Sequence, residues 1–535
     1  MKRNKYLAFL LLPFFVACFD DKGNYDYHGV GDIVIENVPE LLECLAYADH
    51  IVVSPKVTST MEGEIKDGNP NYEFIWRFDL KSGSIVNSND PWGVVNPDGR
   101  KAIDTLADFP ANSYIGWFTV RDKRSGLETY KMLDIKLTSS IYEGYMVLCN
   151  EGDENRVRFD MISRISADRT SAIHDILGDL GLPESQNAIQ ILLSPSMMSS
   201  GDEIYVCSET GTYQIDKETF KTNESYNIKN SGFNLAPEDN LVCMVELNAT
   251  DFWSYYYNPY RFGVTTSGNA YAKTSSNAGA AFEDPINTSA RREAPEYRVA
   301  PYIGVSMARP GNGASALFYD VDNLRFVGWK TGSADVMQTL TPLMDPDNKL
   351  FSFQTGKELV YMESTRFSGG LAYAILQGVG GDRCVCGINL GGSSFTQEAY
   401  YEHINAPEFN QATQFAFHSQ YPFMFYAVKN KVYLYDLGTG TNYPLEGVKL
   451  GDGEEVTLLK FNLYQQPTFN YSNFSDEFLD KQYDLIVGSF DTNSGNIDGG
   501  KVGFYHIDRS AHTVSKFEEY DGFAKVVDIV YRERS

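Results

Sequence analysis

The 535-residue sequence predicts an all-β protein. Aromatic residues make up 14% of the chain, with 35 Tyr and 33 Phe, and such residues favour pleated, half-buried surfaces. The 45 glycines supply the turns that many short strands require. Because the chain exceeds the usual size of a single hydrophobic core, we expect at least two domains.

The first predicted domain covers residues 31–139. Strand-like segments separated by turn residues occur at 33–35, 50–53, 72–78, 114–120 and 132–137. Short strands at this spacing predict an immunoglobulin-like β-sandwich. We expect Trp76 in the core of this sandwich and not on a ligand platform.

The second predicted domain covers residues 140–535 and contains a repeat. A strand-like apolar triplet recurs at successive spacings of 58, 58, 54, 56, 51 and 62 residues, starting at Met146, Ile204, Phe262, Ala316, Ala372, Phe423 and Leu485. A second strand follows most triplets, most clearly at 431–436 and 501–508. A period of about 50–60 residues filled by strands is typical of a β-propeller, here with seven blades. The alternative is a two-sheet β-domain with chance spacing.

One segment departs from the strand pattern. Apolar residues at 172, 173, 176, 177 and 180 follow a helical spacing, and Pro183 comes shortly after them. The pattern predicts a helix over residues 167–182, inserted between the first and second blades. A surface loop is the alternative.

The N-terminus has the pattern of a secretory signal. Three basic residues precede an apolar run over 6–17, which is shorter than the roughly 20 residues needed to span a bilayer. The sequence before Cys18 resembles a bacterial lipobox, although Phe15 replaces the usual Leu. This resemblance implies a signal peptide over 1–17, cleavage before Cys18, and lipidation with three acyl chains there. A plain secretory signal is the alternative.

An acidic tether follows over residues 18–30. Asp20 and Asp21 lie just behind the cysteine, and such a pair resembles the surface-export signal of Bacteroidota lipoproteins. The resemblance implies an outer-membrane lipoprotein that faces the cell exterior. An ordinary solvated tether is the alternative.

The charge of the chain limits its partners. The formal net charge is −26, and removal of residues 1–17 deletes Lys2, Arg3 and Lys5, which gives −29. So acidic a protein repels phosphate backbones, which excludes nucleic acid as an expected partner. Neutral glycans and peptides remain open.

Four segments carry a family resemblance. Residues 18–27, 72–78, 121–128 and 139–148 together resemble the PKD-like family of Bacteroidota surface lipoproteins. The resemblance is strong to about residue 150, and beyond that it is one of architecture. It implies an immunoglobulin/PKD-like β-sandwich followed by a seven-bladed β-propeller. It also implies an accessory role in SusC/SusD-type nutrient uptake, with a TonB-dependent barrel and a SusD-like lipoprotein as partners and an oligopeptide or oligosaccharide as cargo.

The sequence carries no recognised catalytic motif. It contains no His-Glu-x-x-His, no Gly-x-Ser-x-Gly and no Walker loop, and its seven histidines have no metal-ligand spacing. Cys384 and Cys386 alternate along a strand-like run and are expected as buried small side chains. We therefore expect a non-enzymatic protein without cofactor or metal. The alternatives are an extracellular propeller hydrolase or lyase with acids at its axial channel, and a purely structural scaffold or adhesin.

Three groups of residues are candidate ligand contacts. The densest lies within 251–261, because flat amphipathic rings stack on sugar faces and peptide side chains. The alternative is that these rings cover a seam between blades. The paired arginines would engage a carboxylate, and the third group is a tyrosine pair. The candidates are Trp253, Tyr255, Tyr256, Tyr257 and Tyr260; Arg291 and Arg292; and Tyr400 and Tyr401.

Overall fold

The computed structural model describes most of the chain between residues 31 and 532. The segments outside the description are 1–30, 47–48, 82–97, 108–110, 140, 142, 167–168, 177–184, 195–202, 218–219, 231–238, 247–259, 275–281, 283, 290–293, 307–314, 331–338, 392–393, 464–478, 494 and 533–535. The chain divides into two compact units, Met1–Ser139 and Ser140–Ser535. In both units the regular structure that is described is almost entirely β, as predicted.

The described residues of the first unit form nine strands in three sheets. The largest sheet has the order β2-β9-β8-β6, in which β2 runs parallel to β9 and the other pairs are antiparallel. The smaller sheets are β1-β4-β5 and β3-β7. The strands are β1 (Ile33–Glu36), β2 (Leu41–Leu45), β3 (His50–Val53), β4 (Lys56–Ser59), β5 (Gly63–Glu64), β6 (Tyr72–Leu80), β7 (Ile103–Leu106), β8 (Asn112–Asp122) and β9 (Glu128–Thr138).

Strand β6 shows how this unit forms its core. Tyr72, Phe74, Trp76 and Phe78 are buried and alternate with more exposed residues, as expected of a strand with one covered face. The Trp76 ring lies 4.8 Å from the Phe118 ring on the neighbouring strand, measured between centroids. Its indole N–H donates a 2.9 Å hydrogen bond to a backbone carbonyl. The prediction that Trp76 belongs to the core is confirmed.

In the second unit, the part of the chain that the structure describes forms seven sheets. In chain order they are β12-β11-β10-β35, β13-β14-β15, β16-β17-β18, β19-β20-β21-β22, β23-β24-β25-β26, β27-β28-β29-β30 and β31-β32-β33-β34. Six sheets are built from consecutive strands. The first instead combines the strands that begin this unit with β35, which ends it and pairs antiparallel with β10. The two ends of the unit are therefore held together by backbone hydrogen bonds.

The strands of this unit have the following bounds: β10 (Gly144–Glu151), β11 (Arg156–Ser166), β12 (Arg169–Ile173), β13 (Ala188–Ser194), β14 (Glu203–Ser208), β15 (Thr212–Ile215), β16 (Leu241–Glu246), β17 (Tyr260–Thr265), β18 (Ala270–Thr274), β19 (Gly304–Val305), β20 (Ser315–Asp320), β21 (Arg325–Lys330), β22 (Thr341–Pro342), β23 (Glu358–Ser364), β24 (Leu371–Gln377), β25 (Arg383–Asn389), β26 (Thr396–Tyr401), β27 (Gln414–Phe417), β28 (Phe423–Val428), β29 (Lys431–Asp436), β30 (Thr441–Pro444), β31 (Glu454–Lys460), β32 (Leu485–Asp491), β33 (Gly500–Asp508), β34 (Thr513–Phe523) and β35 (Lys525–Arg532). Short 3-10 turns occur at Glu224–Tyr226, Ile228–Asn230, Phe367–Gly369, Phe409–Gln411 and Lys481–Tyr483.

Each of the seven recurring triplets lies in an interior strand, next to the strand at one edge of its sheet. Strand β28 illustrates why these triplets are continuously apolar. Phe423 and Phe425 pack into a cluster shared with the following sheet, whereas Met424 and Tyr426 pack into a cluster shared with the preceding sheet. Because successive residues of a strand point to opposite faces, a strand that is covered on both faces needs apolar residues at every position.

Hydrophobic clusters join the seven sheets in sequence. Each pair of consecutive sheets shares one cluster of buried side chains. A seventh cluster joins the seventh sheet to the first through Ile486 and Phe504 on one side and Val147, Cys149 and Ile529 on the other. Every sheet of this unit is therefore covered on both faces by its neighbours.

The predicted helix over residues 167–182 is wrong in the part that the structure describes. Residues 169–173 form β12, which pairs antiparallel with β11, and residues 177–184 lie outside the described ranges. Strand β11 is 11 residues long, and its free edge offers donors and acceptors that β12 satisfies. Ala172 also packs against the cluster between the seventh and first sheets. These tertiary interactions outweigh a short amphipathic pattern, since a short isolated helix is only marginally stable.

Candidate functional site

The candidate site is a cavity of about 1010 Å³ in the second unit. One edge strand from each of the seven sheets lines it: β35, β13, β16, β19, β23, β27 and β31. Ligand sites in proteins typically have volumes of about 300–1,000 Å³. The cavity is therefore large enough for a small molecule or a short oligomer.

Aromatic rings form part of the wall. The Tyr302 and Tyr361 rings meet edge to face with their centroids 5.6 Å apart, and the Phe415 ring lies 5.6 Å from that of Tyr361. Tyr302 and Tyr361 are half-buried, so part of their surface faces the cavity. The other lining residues are apolar side chains, among them Val242 and Leu458, and ten polar or charged ones. A mainly apolar wall with a few polar groups is typical of a ligand-binding pocket.

Polar side chains on the lining strands connect neighbouring sheets. Gln190 on β13 accepts a 2.9 Å hydrogen bond from the backbone N–H of Met244 on β16. The Ser364 hydroxyl on β23 accepts a 2.9 Å hydrogen bond from the backbone N–H of Val305 on β19. Edge strands have unpaired backbone donors, and these side chains satisfy two of them. The bonds also fix the spacing between adjacent lining strands.

Asp528 is the most extensively connected of these polar residues. One carboxylate oxygen accepts a 2.9 Å hydrogen bond from the backbone N–H of Ile191 on β13. The other accepts the backbone N–H of Ile529 and the ammonium group of Lys460 on β31. Asp528 thereby links β35 to a strand on each side, and its charge is compensated by Lys460.

Glu363 on β23 is a lining carboxylate without a basic partner within the described ranges. It accepts a 2.8 Å hydrogen bond from the backbone N–H of Phe417. No basic nitrogen of the described residues lies within 4.0 Å of its carboxylate. Burial raises the pKa of Glu363 to about 7, although the Phe417 N–H, the Tyr361 hydroxyl and the Lys460 ammonium group act in the opposite direction. The side chain nevertheless remains only half-buried, because part of its surface faces the cavity.

Glu246 is another lining carboxylate, and a basic residue that does not line the cavity compensates its negative charge. Its carboxylate lies 2.9 Å from the guanidinium of Arg261, which is buried between the second and third sheets. Arg261 also contacts Glu203 at 2.9 Å and lies over the Tyr205 ring. This network supports the wall.

Glu209, the remaining lining carboxylate, is exposed and accepts a 2.8 Å hydrogen bond from the Asn187 side-chain amide. Among the described residues, Glu363 and Glu209 are therefore the lining carboxylates without a basic nitrogen within 4.0 Å.

The polar residues of the cavity interrupt apolar strands in the sequence, although we did not predict them as site residues. The lining strands are mainly apolar, yet six of them carry a polar or charged residue at the cavity: Gln190, Glu246, Glu363, Gln414, Lys460 and Asp528. These residues do not share one register position. Gln190 pairs with the residue after its triplet, Glu246 with the residue before its triplet, and Glu363 with the middle residue of its triplet. The predicted site residues are instead dense local groups.

Most of the predicted site residues lie outside the described ranges. These are Cys18, Asp20, Asp21, Trp253, Tyr255, Tyr256, Tyr257, Arg291 and Arg292. The backbone of Tyr260 begins β17 and pairs with Thr274 on β18. The predicted contacts of these residues with a ligand stay predictions.

Tyr400 and Tyr401 lie on β26, the outer edge strand of the fifth sheet. Tyr400 packs against the cluster shared with the fourth sheet, and its ring lies 5.6 Å from that of Phe351. Tyr401 packs against the cluster shared with the sixth sheet. Both rings are half-buried, and neither lines the cavity. The structure therefore does not bring this pair together with the cavity residues.

The described cysteines are all free and buried: Cys44, Cys149, Cys207, Cys243, Cys384 and Cys386. Cys384 and Cys386 both belong to the cluster between the fourth and fifth sheets, as the predicted strand alternation requires. A hydrogen bond with Cys386 lowers the pKa of Cys384 to about 6, helped by the ammonium group of Lys357. Within the described ranges, no group of three or more His, Cys, Asp or Glu residues is arranged to hold a metal ion. A search of the same residues found no helix with the length and apolar character needed to cross a bilayer.

Comparison with known proteins gives one family match. A model of the PKD-like family matches residues 18–178, which include all nine strands of the first unit and β10 to β12 of the second. No curated protein matches the chain.

Several solved structures are similar at low identity. A quinonprotein alcohol dehydrogenase-like protein from Bacteroides thetaiotaomicron is 12% identical, with 94% of this chain and 99% of that chain covered and a TM-score of 0.43. A protein from Lactobacillus plantarum is 12% identical, with 73% and 100% covered and a TM-score of 0.42. A DUF4784 family protein from Bacteroides caccae is 8% identical, with 79% and 96% covered and a TM-score of 0.33.

Proposed function

We propose that this chain is a non-enzymatic binding subunit of a nutrient-uptake complex at the bacterial outer membrane. In this proposal, lipid on Cys18 anchors the protein, and Asp20 and Asp21 direct it to the cell surface. A TonB-dependent barrel and a SusD-like lipoprotein are its partners. An oligopeptide or oligosaccharide is the cargo.

We further propose that the seven sheets are the blades of a closed seven-bladed β-propeller. Two features support closure. Strand β35 completes the first sheet by pairing with β10, and the last of the seven hydrophobic clusters joins the seventh sheet to the first. In such a ring the edge strands that line the cavity are the innermost strands, and the cavity is the axial channel.

The cavity is the observation that carries the binding function. It combines a volume of about 1010 Å³, exposed aromatic surface and a small number of polar groups, and every sheet contributes to it. Concave, mainly apolar sites with a few convergent polar groups are the usual location of ligand binding. The match to the PKD-like family over residues 18–178 supports the part of the proposal that rests on resemblance.

Isolation of the native complex tests this proposal. The full-length lipoprotein with a C-terminal tag is purified in mild detergent from native outer membranes, and its proteins and bound small molecules are identified by mass spectrometry. We expect a TonB-dependent barrel and a SusD-like lipoprotein to co-purify. Cys18→Ala is the control, because it removes the lipidated thiol and should release the protein from the membrane. Recovery of the lipoprotein alone at native expression would exclude the accessory role.

Surface exposure is tested separately. External protease should degrade the protein on intact cells, whereas the double substitution Asp20→Asn and Asp21→Asn should protect it while it remains in the membrane fraction. Protection of the native protein would place it on the periplasmic side.

A hydrolase or lyase is the second candidate, and Glu363 favours it. A carboxyl group whose pKa is raised to about 7 has the property required of a general acid or base at neutral pH. Activity on a panel of extracellular polymers that is lost in Glu363→Gln would support this candidate. Absence of activity together with co-purification of the barrel would support the binding function.

A further inference from the structure

The cavity contains a carboxylate, an aromatic pair and an excess of negative charge in one place. Among the described residues, four acidic side chains line it, Glu209, Glu246, Glu363 and Asp528, against one ammonium group, that of Lys460. Lys460 is bound to Asp528, and Glu246 is bound to Arg261 behind the wall. Glu363 and Glu209 have no basic partner within 4.0 Å in the described part of the chain, and Glu363 is the one that shares its strand with the aromatic residue Tyr361.

The tyrosines lie in the negative potential of this site. Tyr361 is two residues from Glu363 on β23, so both side chains lie on the same face of the strand. The charges of Glu363 and Asp528 help to raise the pKa of the Tyr361 hydroxyl, after the larger effect of burial. The edge-to-face contact with Tyr302 leaves a concave aromatic surface beside the carboxylate. A carboxylate next to aromatic faces is the arrangement that binds organic cations.

We propose that the cavity binds a positively charged organic group, such as the ammonium or guanidinium group of a basic peptide, between Glu363 and the rings of Tyr361 and Tyr302. This inference rests on the proposed binding function and specifies its cargo as cationic peptide, in preference to neutral glycan. The net charge of −26 acts in the same direction, because it attracts cations and repels anions at long range.

Isothermal titration calorimetry on the purified, detergent-solubilised lipoprotein tests the inference. Three probes are compared: acetyl-Ala-Lys-Ala-amide, the uncharged acetyl-Ala-Gln-Ala-amide, and the neutral sugar maltotriose. We expect the lysine peptide to bind at least about tenfold more tightly than the glutamine peptide, because only the lysine peptide pairs with the carboxylate. Equal affinity of all three probes, or preference for the sugar, would overturn the inference.

Two variants locate the interaction. Glu363→Gln removes the charge but keeps a side-chain oxygen that can accept the Phe417 N–H, so we expect the preference for lysine to disappear. Glu455→Gln removes a charge of the same kind from the exposed side of β31 and should leave the preference unchanged. Unchanged preference in Glu363→Gln would show that the cation binds elsewhere.

A measurement on the native chain covers the case in which Glu363→Gln does not fold. A cation beside Glu363 favours its ionised form, so binding at pH 7 should release about half a proton, because the group is then about half protonated. Titrations in buffers of different ionisation enthalpy give this number. Zero release would contradict the inference.

The result of the calorimetry can be separated from the result of purifying the native complex. Co-purification of the barrel without any preference for lysine retains the accessory role and removes the cationic cargo. Preference for lysine without co-purification retains the cavity site and removes the uptake complex.

Discussion

Asp528 offers the most direct test of how the second unit is held together. Asp528→Ala removes the acceptor for the backbone N–H groups of Ile191 and Ile529 and the counter-ion of Lys460. These interactions join the C-terminal strand β35 to β13 on one side and to β31 on the other. The substitution should therefore weaken the seam at which the two ends of the unit meet.

The size of the expected decrease in the free energy of unfolding follows from the burial of the groups that Asp528 contacts. A buried donor left without an acceptor costs about 1–3 kcal/mol. Breaking a fully buried ion pair costs about 3–5 kcal/mol, but the Lys460 side chain is 27% exposed and can regain part of its hydration. We therefore expect Asp528→Ala to lower the free energy of unfolding by about 3 kcal/mol. Asp528→Asn, which keeps one acceptor oxygen, should lose less.

Urea unfolding of the mature chain measures this loss, and hydrogen exchange locates it. Peptides from β13 and β35 should exchange faster in Asp528→Ala, whereas peptides from the first unit should not change. The matched control is Asp521→Ala, which removes an exposed carboxylate on β34. A loss below about 1 kcal/mol in Asp528→Ala, or an equal loss in the control, would refute the role assigned to this seam.

Three further predictions concern pH, the core of the first unit, and the cysteines. The pKa of Glu363 is about 7 in the folded protein, against an ordinary value of 4.5. The native protein therefore holds this proton more tightly than the unfolded chain does. As a result, the contribution of Glu363 to the free energy of unfolding falls as pH rises from about 4.5 to 7. The Phe417 N–H, the Tyr361 hydroxyl and the Lys460 ammonium group act on Glu363 in the opposite direction but do not cancel the effect of burial. The unfolding free energy of Glu363→Gln should therefore exceed that of the native protein at pH 8 by roughly 1–3 kcal/mol, with the gain vanishing at pH 4. Trp76→Ala should cost about 3–5 kcal/mol in urea unfolding of the first unit, whereas the half-buried Trp117→Ala should cost clearly less. The six buried cysteines should resist maleimide under native conditions and react fully in denaturant, as counted by mass spectrometry; rapid native labelling would contradict their burial.

The recurring strands of the second unit could be predicted from the sequence, because a strand that is covered on both faces is apolar at successive positions. The apolar triplets recur at a nearly constant interval, and each lies next to an edge strand of its own sheet. Trp76 was predictable for the same reason, since the alternation in β6 places it on the covered face. The segment that forms β12 was not predictable, because its apolar spacing fits a helix and only the free edge of β11 favours a strand.

The cavity could not be predicted from the sequence, because its lining residues are close in space but far apart along the chain. Asp528 contacts Lys460, 68 residues earlier, and Ile191, 337 residues earlier, and neither partner stands in a recognised motif. Each lining strand supplies at most two polar or charged side chains besides tyrosine, so no local window contains the site. The positions of these side chains along the strands also differ from sheet to sheet. A polar residue that interrupts an apolar edge strand has two possible uses in this fold, because it can satisfy an unpaired backbone donor of the neighbouring strand and can also present a charge to the cavity. Glu363 accepts such a donor from Phe417 while lining the cavity, and the proposed cation site makes the second use testable.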